Sequence, residues 1–212
     1  MDKRYAIFDM DGTLVDSMGY WRNMEREFLT RKGVTDNLDE ILEITKPMTL
    51  EESSAYFSKT CGIDCTPAQF IAEIETIMAE HYRRDVRIKP GVREYLDDLR
   101  QRGIPMCVAS ATNKPLVELC LETLGLRSYF RFVLSCVEVG AGKNQPDVFL
   151  AAARRLGAEP SDCAVFEDAI YAVRSARAAG FHVVAVKDAH NAACWEELTA
   201  LADKVIEDWQ TA

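Results

Sequence analysis

From residue 87 onward, short apolar runs alternate with segments of helical spacing. Ile104–Ser110, Arg131–Ser135, Cys163–Phe166 and His182–Val186 read as buried strands, being short apolar runs bounded by turn-forming residues. Between them the spacing predicts a helix that opens at Pro90-Gly91 and runs to Arg102-Gly103, then helices over Lys114–Leu124, Asp147–Leu156 and Ala169–Ala179. A further helix near Ala193–Ala202 and an edge strand at Val205-Ile206 complete the series. Gly103, Gly125, Gly157 and Gly180 stand where four of these helices end, as helix C-caps require. Repeated strand–helix units with short connections imply a parallel sheet covered on both faces, because parallel strands need a crossover and right-handed crossovers stack helices there. The predicted fold class is α/β, with a doubly wound, Rossmann-like parallel-sheet core.

Arg4–Phe8 supplies the first strand of that core, yet residues 17–86 break the alternation. They carry helical stretches over Met18–Arg31, Leu38–Ile44, Leu50–Thr60 and Pro67–Arg84, with no repeats or low-complexity tracts. The predicted organisation is a core of residues 1–16 and 87–212 and a small all-helical cap domain of residues 17–86.

Composition narrows the classes. A chain of 212 residues that is 48% hydrophobic can bury a sizeable core. The 34 acidic and 25 basic residues give a net charge of −9, which repels nucleic-acid backbones and anionic membranes, so neither is an expected partner. An anionic substrate would need local cations. No signal-peptide pattern opens the chain, and no run approaches the about 20 apolar residues of a membrane helix. Seven cysteines is an odd number, and Cys107, Cys136 and Cys163 fall inside apolar runs, which points to reduced thiols and a cytoplasmic setting. Cys61 and Cys65 form a lone C-x-x-x-C with no second pair, read as loop or helix-surface thiols rather than a zinc site.

Open parallel sheets bind ligands beyond the carboxyl ends of their strands, and this chain places its chemistry there. The first strand ends in Asp9 and Asp11, another in Ser110-Ala111-Thr112, a third leads to Gly140-Ala-Gly-Lys143, and a fourth runs into Glu167-Asp168. Brought together, Asp9, Asp11, Glu167 and Asp168 would repel one another unless a divalent cation neutralised them, and oxygen ligands without His or Cys favour Mg²⁺ over zinc. Lys143, the Ser110 hydroxyl and nearby backbone N–H groups such as that of Ala111 could hold phosphate oxygens. Thr112 reads as a helix N-cap. Val137 and Asn144 break the phosphate-loop pattern G-x-x-x-x-G-K-[ST], so an ATP site is rejected, and an NAD site fails for want of G-x-G-x-x-G. His81, His182 and His190 are scattered and read as solvated or core-edge residues. Tyr20 and Trp21 either line the substrate side of the cap or pack within it.

Asp9-Met-Asp11-Gly-Thr-Leu-Val-Asp16-Ser17, the strand-end Ser110, Lys143 in Gly-Lys-x-x-Pro-Asp-x-Phe, and Phe166-Glu-Asp-Ala with Ala178-Ala-Gly180 together resemble the four motifs of the haloacid dehalogenase-like hydrolases. More narrowly they resemble the β-phosphoglucomutase-like phosphatase and mutase branch, whose helical cap follows the first motif. The resemblance implies Asp9 as a nucleophile that forms an aspartyl-phosphate and Asp11 as general acid and then base. It implies Mg²⁺ held by Asp9, the Asp11 backbone carbonyl and Asp168, with Glu167 as a direct or water-mediated neighbour, and Ser110 and Lys143 gripping the phosphoryl group. Asn144 replaces the branch's usual Pro, and Ala169 its frequent Ser, without touching a charged role. Asp11 argues against dehalogenation, because a halide leaves without a proton donor. The leading expectation is a phosphatase of small phosphorylated metabolites such as sugar phosphates. A sugar-phosphate mutase is the alternative, weakened because Lys46 is the sole cation in the stretch 43–49, and a catalytically silent binding protein is a further one.

Overall fold

The computed structural model describes residues 3–45, 48 and 50–212, and the backbone only of residue 51. Lys46 lies outside the described residues. In chain order the strands are β1 (Tyr5–Phe8), β2 (Val15–Asp16), β3 (Arg87–Ile88), β4 (Met106–Ser110), β5 (Val133–Ser135), β6 (Cys163–Glu167), β7 (His182–Val186) and β8 (Lys204–Ile206). The helices are α1 (Met18–Arg31), α2 (Leu38–Thr45), α3 (Leu50–Cys61), α4 (Pro67–Arg84), α5 (Val92–Gln101), α6 (Lys114–Thr123), α7 (Cys136–Val139), α8 (Asp147–Leu156), α9 (Ile170–Ala178) and α10 (Trp195–Leu201).

Six strands form one sheet in the order β5-β4-β1-β6-β7-β8, and every neighbouring pair is parallel. The core is therefore the doubly wound α/β sheet that the alternation predicts. β4 and β6 are buried at every residue, as strands covered by helices on both faces must be. The chain passes from β1 outward to β4 and β5, then returns across β1 to β6, so the strand order reverses around β1. That reversal opens the crevice in which such sheets bind ligands.

Boundaries shift where local chemistry competes with periodicity. Residues 104–105 and 131–132 precede β4 and β5 rather than belonging to them, although the carbonyls of Pro105 and Phe132 accept from Ala6 (3.1 Å) and Val108 (3.2 Å) and so extend the ladders. The last helix starts at Trp195, because Ala189–Cys194 winds as a tight three-residue-per-turn segment. Asp188 caps that segment by accepting from the His190 N–H at 2.9 Å, while the Asn191 side chain accepts from the Asp188 N–H at 3.1 Å. The antiparallel pair β2–β3 and the single turn α7 are too short to leave a periodic trace, and the sequence reading missed both.

Residues up to Met18 and Val86–Ala212 make one compact unit, and Gly19–Asp85 a second. Within the first, Phe8 stacks on Phe166 at 4.3 Å and Phe166 on Trp209 at 5.9 Å, which seats the chain's last aromatic residue against the central strands. All seven cysteines are free thiols; Cys107, Cys120, Cys136 and Cys163 are buried.

The second unit is helical, with Phe28, Phe57 and Phe70 at its centre; Phe28 meets Phe70 edge-on at 4.6 Å. Cys61 and Cys65 are partly buried against this apolar cluster rather than displayed as surface thiols. Thr66 and Gln69 form a reciprocal capping box that starts α4. Trp21 donates to the Tyr82 hydroxyl at 3.1 Å, and the Tyr20 ring lies 4.4 Å from that of His81, so both aromatics have packing partners inside the unit.

His81 is no bystander. Its Nδ1 lies 2.7 Å from Asp85 and its Nε2 lies 2.7 Å from Glu27, which ties α4 to α1. Desolvation lowers the imidazole pKa, but Glu27 and Asp85 together outweigh it, and the net displacement is upward. A histidine raised in this way stabilises fully below its ordinary value of about 6.5 and loses that contribution as pH rises through the folded value. Hydrogen-exchange protection of α1 and α4 should therefore fall as pH rises above neutrality, after correction for intrinsic exchange. The His81→Gln protein should lack this pH dependence; an identical profile in both proteins would exclude the His81 clasp as its source.

Candidate active site

Three strand ends and one loop converge at the crevice. Asp9 directly follows β1, and its N–H donates to the Phe166 carbonyl at 3.0 Å, so the β1–β6 ladder fixes where the carboxylate begins. Glu167 ends β6 and Asp168 follows it. Carboxylate oxygens of Asp9, Glu167 and Asp168 lie within 4.8 Å of one another, and all three residues are buried. Lys143 reaches this cluster from the loop before α8, where it is 4% exposed. Its Nζ donates to Asp9 Oδ1 and, at 2.6 Å, to Glu167 Oε1. Ser175 of α9 donates to the Lys143 carbonyl at 2.6 Å and so anchors the lysine's backbone.

One ammonium faces three carboxylates. Burial pushes the Asp9 carboxyl up to about 7; Glu167 and Asp11 push the same way, while Lys143 opposes them. Asp168 is also raised well above the usual carboxylate range, first by desolvation and then by Asp9 and Glu167. Burial by itself would lower the Lys143 ammonium, but Asp9 and Glu167 reverse that and hold it above the ordinary lysine range. A cluster of hard oxygen donors with surplus negative charge suits a divalent cation, and these residues fit one. Glu167 is already engaged at both oxygens, by Lys143 and by the Ala169 N–H at 3.2 Å.

Asp11 stands apart from that group. Its carboxylate accepts from the Ser17 hydroxyl at 2.6 Å and from the Thr112 hydroxyl at 2.8 Å. Thr112 therefore does not act as the predicted N-cap. Asn113 occupies that position without a side-chain cap bond, and the Thr112 hydroxyl points to Asp11. Ser110 is buried at the end of β4, and its Oγ accepts from the Thr112 N–H at 3.0 Å, while Ala111 is exposed on the loop between them. Thr13 donates to Asp168 at 3.3 Å. The sequence reading gave no site role to Ser17, Thr13 or Ser175; only Thr13 and Ser17, which lie within the opening motif, carried a positional hint.

The family model for haloacid dehalogenase-like hydrolases matches residues 3–180. The chain belongs to the haloacid dehalogenase-like hydrolases. As a member it is an enzyme, a hydrolase, and its similarities run through that family. It is 32% identical over 189 residues to fructose-1-phosphate phosphatase YqaB of Escherichia coli, covering 88% of this chain and 99% of that one. It is 28% identical over 210 residues to the bifunctional riboflavin kinase/FMN phosphatase of Arabidopsis thaliana, covering 96% of this chain but 55% of that longer protein. The crystal structure of β-phosphoglucomutase from Clostridium difficile superposes with a TM-score of 0.72 at 22% identity, covering 99% of this chain and 92% of the other, and has the same fold.

Because a cation must displace the proton that Asp9 holds near pH 7, divalent-cation affinity measured calorimetrically should rise as pH increases through about 7. An affinity independent of pH in that range would contradict the surplus-charge picture. Asp168→Asn removes one of the repelling carboxylates. In chelator at pH 8 the variant should melt a few degrees higher than the parent, roughly the shift that 1 kcal/mol produces. Added Mg²⁺ should then stabilise the parent and leave the variant unmoved; a lower melting temperature in chelator would refute the repulsion.

Proposed function

We propose that this hydrolase is a Mg²⁺-dependent phosphatase that cleaves phosphate monoesters of small metabolites through an aspartyl-phosphate on Asp9. The observation that carries the reading is the division between two aspartates of one turn. Asp9 lies in the buried acidic cluster on Lys143, while the Asp11 carboxylate is engaged by the hydroxyls of Ser17 and Thr112. A nucleophile needs the first environment, and a group that exchanges a proton needs the second.

The Asp9 carboxylate attacks phosphorus as the ester P–O bond breaks, and Asp11 gives its proton to the departing alkoxide. Asp11, now ionised, accepts a proton from the water that attacks the aspartyl-phosphate, which regenerates Asp9 and frees inorganic phosphate. Lys143, the Ser110 hydroxyl and the Ala111 N–H hold the phosphoryl oxygens. Mg²⁺ bound by Asp9, Asp168 and the Asp11 carbonyl, with Glu167 beside it, would supply the positive charge that lets a phosphate approach these carboxylates. The helical unit is the cap that selects the metabolite. The similarity to the fructose-1-phosphate and FMN phosphatases supports a small phosphorylated substrate. Seven free thiols support a reducing, cytoplasmic setting, and no helix among the described residues is long and apolar enough to cross a membrane.

A phosphate-release panel over sugar phosphates, polyol phosphates and nucleotides with Mg²⁺ tests the reading. Asp9→Asn should reduce turnover to background, and Asp11→Asn should lower kcat by roughly 10²- to 10⁴-fold, the usual worth of a general acid–base group. Phosphate release that survives Asp9→Asn would defeat the mechanism. Conversion of β-glucose 1-phosphate to glucose 6-phosphate without phosphate release would assign a mutase instead.

A further inference from the structure

The turn that carries Asp11 is held from behind by Lys89, a residue outside the four motif stretches. Residues 10–15 fold around the Met10 carbonyl, which accepts from the N–H groups of Thr13 (3.3 Å), Leu14 (2.9 Å) and Val15 (3.1 Å). Gly12 sits at φ +81°, and a Cβ there would come within 2.9 Å of Asp168 Cγ, so the turn presses directly on the Asp168 carboxylate. Lys89 enters at this point. Its N–H donates to the Leu14 carbonyl at 3.0 Å, and its Nζ donates to the Gly12 carbonyl and, at 3.0 Å, to the Lys187 carbonyl. The same Nζ pairs with Asp188 at 2.6 Å, so three acceptors meet the three protons of the ammonium.

The far side of this contact is equally ordered. Asp188 leaves only 3% of its side chain exposed and Lys89 only 12%. Asp188 caps the segment that carries Asn191, and the Asn191 amide donates to the Asp168 carbonyl at 3.1 Å and the Val186 carbonyl at 2.9 Å. One cation thus links the turn bearing Asp11 to the segment that grips Asp168. Among the described residues, no backbone–backbone hydrogen bond joins these two turns.

We propose that Lys89, clamped by Asp188, is a positioning residue that fixes the Asp11 turn against Asp168 by holding the Gly12 carbonyl. Lys89 does not touch the reacting atoms; its effect reaches them through the turn. The kinetic half of the proposal rests on the phosphatase reading above, whereas the structural half does not.

The test uses the full chain and the variants Lys89→Met, Lys89→Arg and Asp188→Asn. Hydrogen exchange is measured over residues 9–15 and over β1 and β6, and steady-state kinetics are measured with p-nitrophenyl phosphate and Mg²⁺. Lys89→Met should speed exchange in residues 12–15 by about tenfold while β1 and β6 keep their protection. Its kcat should fall roughly 10- to 100-fold at nearly constant KM, as expected when a reacting group is misplaced. Lys89→Arg, which keeps a cation with several donors, should recover most of both changes, and Asp188→Asn should show a milder form of both. Unchanged exchange in the turn, a uniform rise across the sheet, or a rise in KM with kcat preserved would overturn the proposal. If the parent protein hydrolyses no phosphate ester, the phosphatase reading fails, and the exchange pattern alone decides the role of Lys89. If Lys89→Met does not fold, Asp188→Asn decides it by the same readouts.

Discussion

Lys143 shares its ammonium between Asp9 and Glu167, with Asp168 within a few ångströms, in a place that water barely reaches. Desolvated charge is costly, and a lone buried pair would be weak support for a fold. Here the balance is worse than a pair, because the carboxylates outnumber the cation. The arrangement persists because the strands leave the side chains no alternative: β1 and β6 are paired in register from Tyr5–Cys163 to Phe8–Phe166, so the residues just beyond them emerge side by side. The apolar strands on either side carry the energetic load that allows this. The surplus negative charge is the property that makes the cluster fit a divalent cation.

The two aspartates of the opening turn differ because of their neighbours. Asp9 leaves the sheet straight into the cluster, whereas Asp11, two residues on, meets the hydroxyls of Ser17 and Thr112. The two hydroxyls fix the orientation of the Asp11 carboxylate. This asymmetry arises from two elements distant in sequence, the residue that precedes α1 and the loop after β4.

A second layer of contacts keeps those neighbours in place. Trp209 donates to the Thr13 carbonyl at 3.2 Å, Ser175 holds the Lys143 carbonyl, and Lys89 and Asn191 hold the carbonyls of Gly12 and Asp168. Four side chains from different parts of the core thus fix backbone atoms of the site. The active-site turn is irregular backbone in a buried setting, where every unpaired carbonyl is a liability, so its polar groups recruit partners from wherever the fold brings them.

The sequence by itself determined the α/β class, the parallel core and its helical interruption, since periodicity and Gly punctuation act over ten or so residues and survive without tertiary context. It also singled out the candidate residues: Asp9, Asp11, Ser110, Lys143, Glu167 and Asp168 all stand at strand ends or in the loops that follow, where an open sheet keeps its chemistry. What only the tertiary structure decided was partnership. Thr112 reads locally as a cap and proves to hold Asp11; His81 reads as a solvated or core-edge residue and proves to join two helices; Lys89 reads as an unremarked residue before Pro90 and proves to carry two turns. Each of these depends on a side chain meeting an atom far along the chain, and such meetings leave no period, no spacing and no cap signature in the sequence.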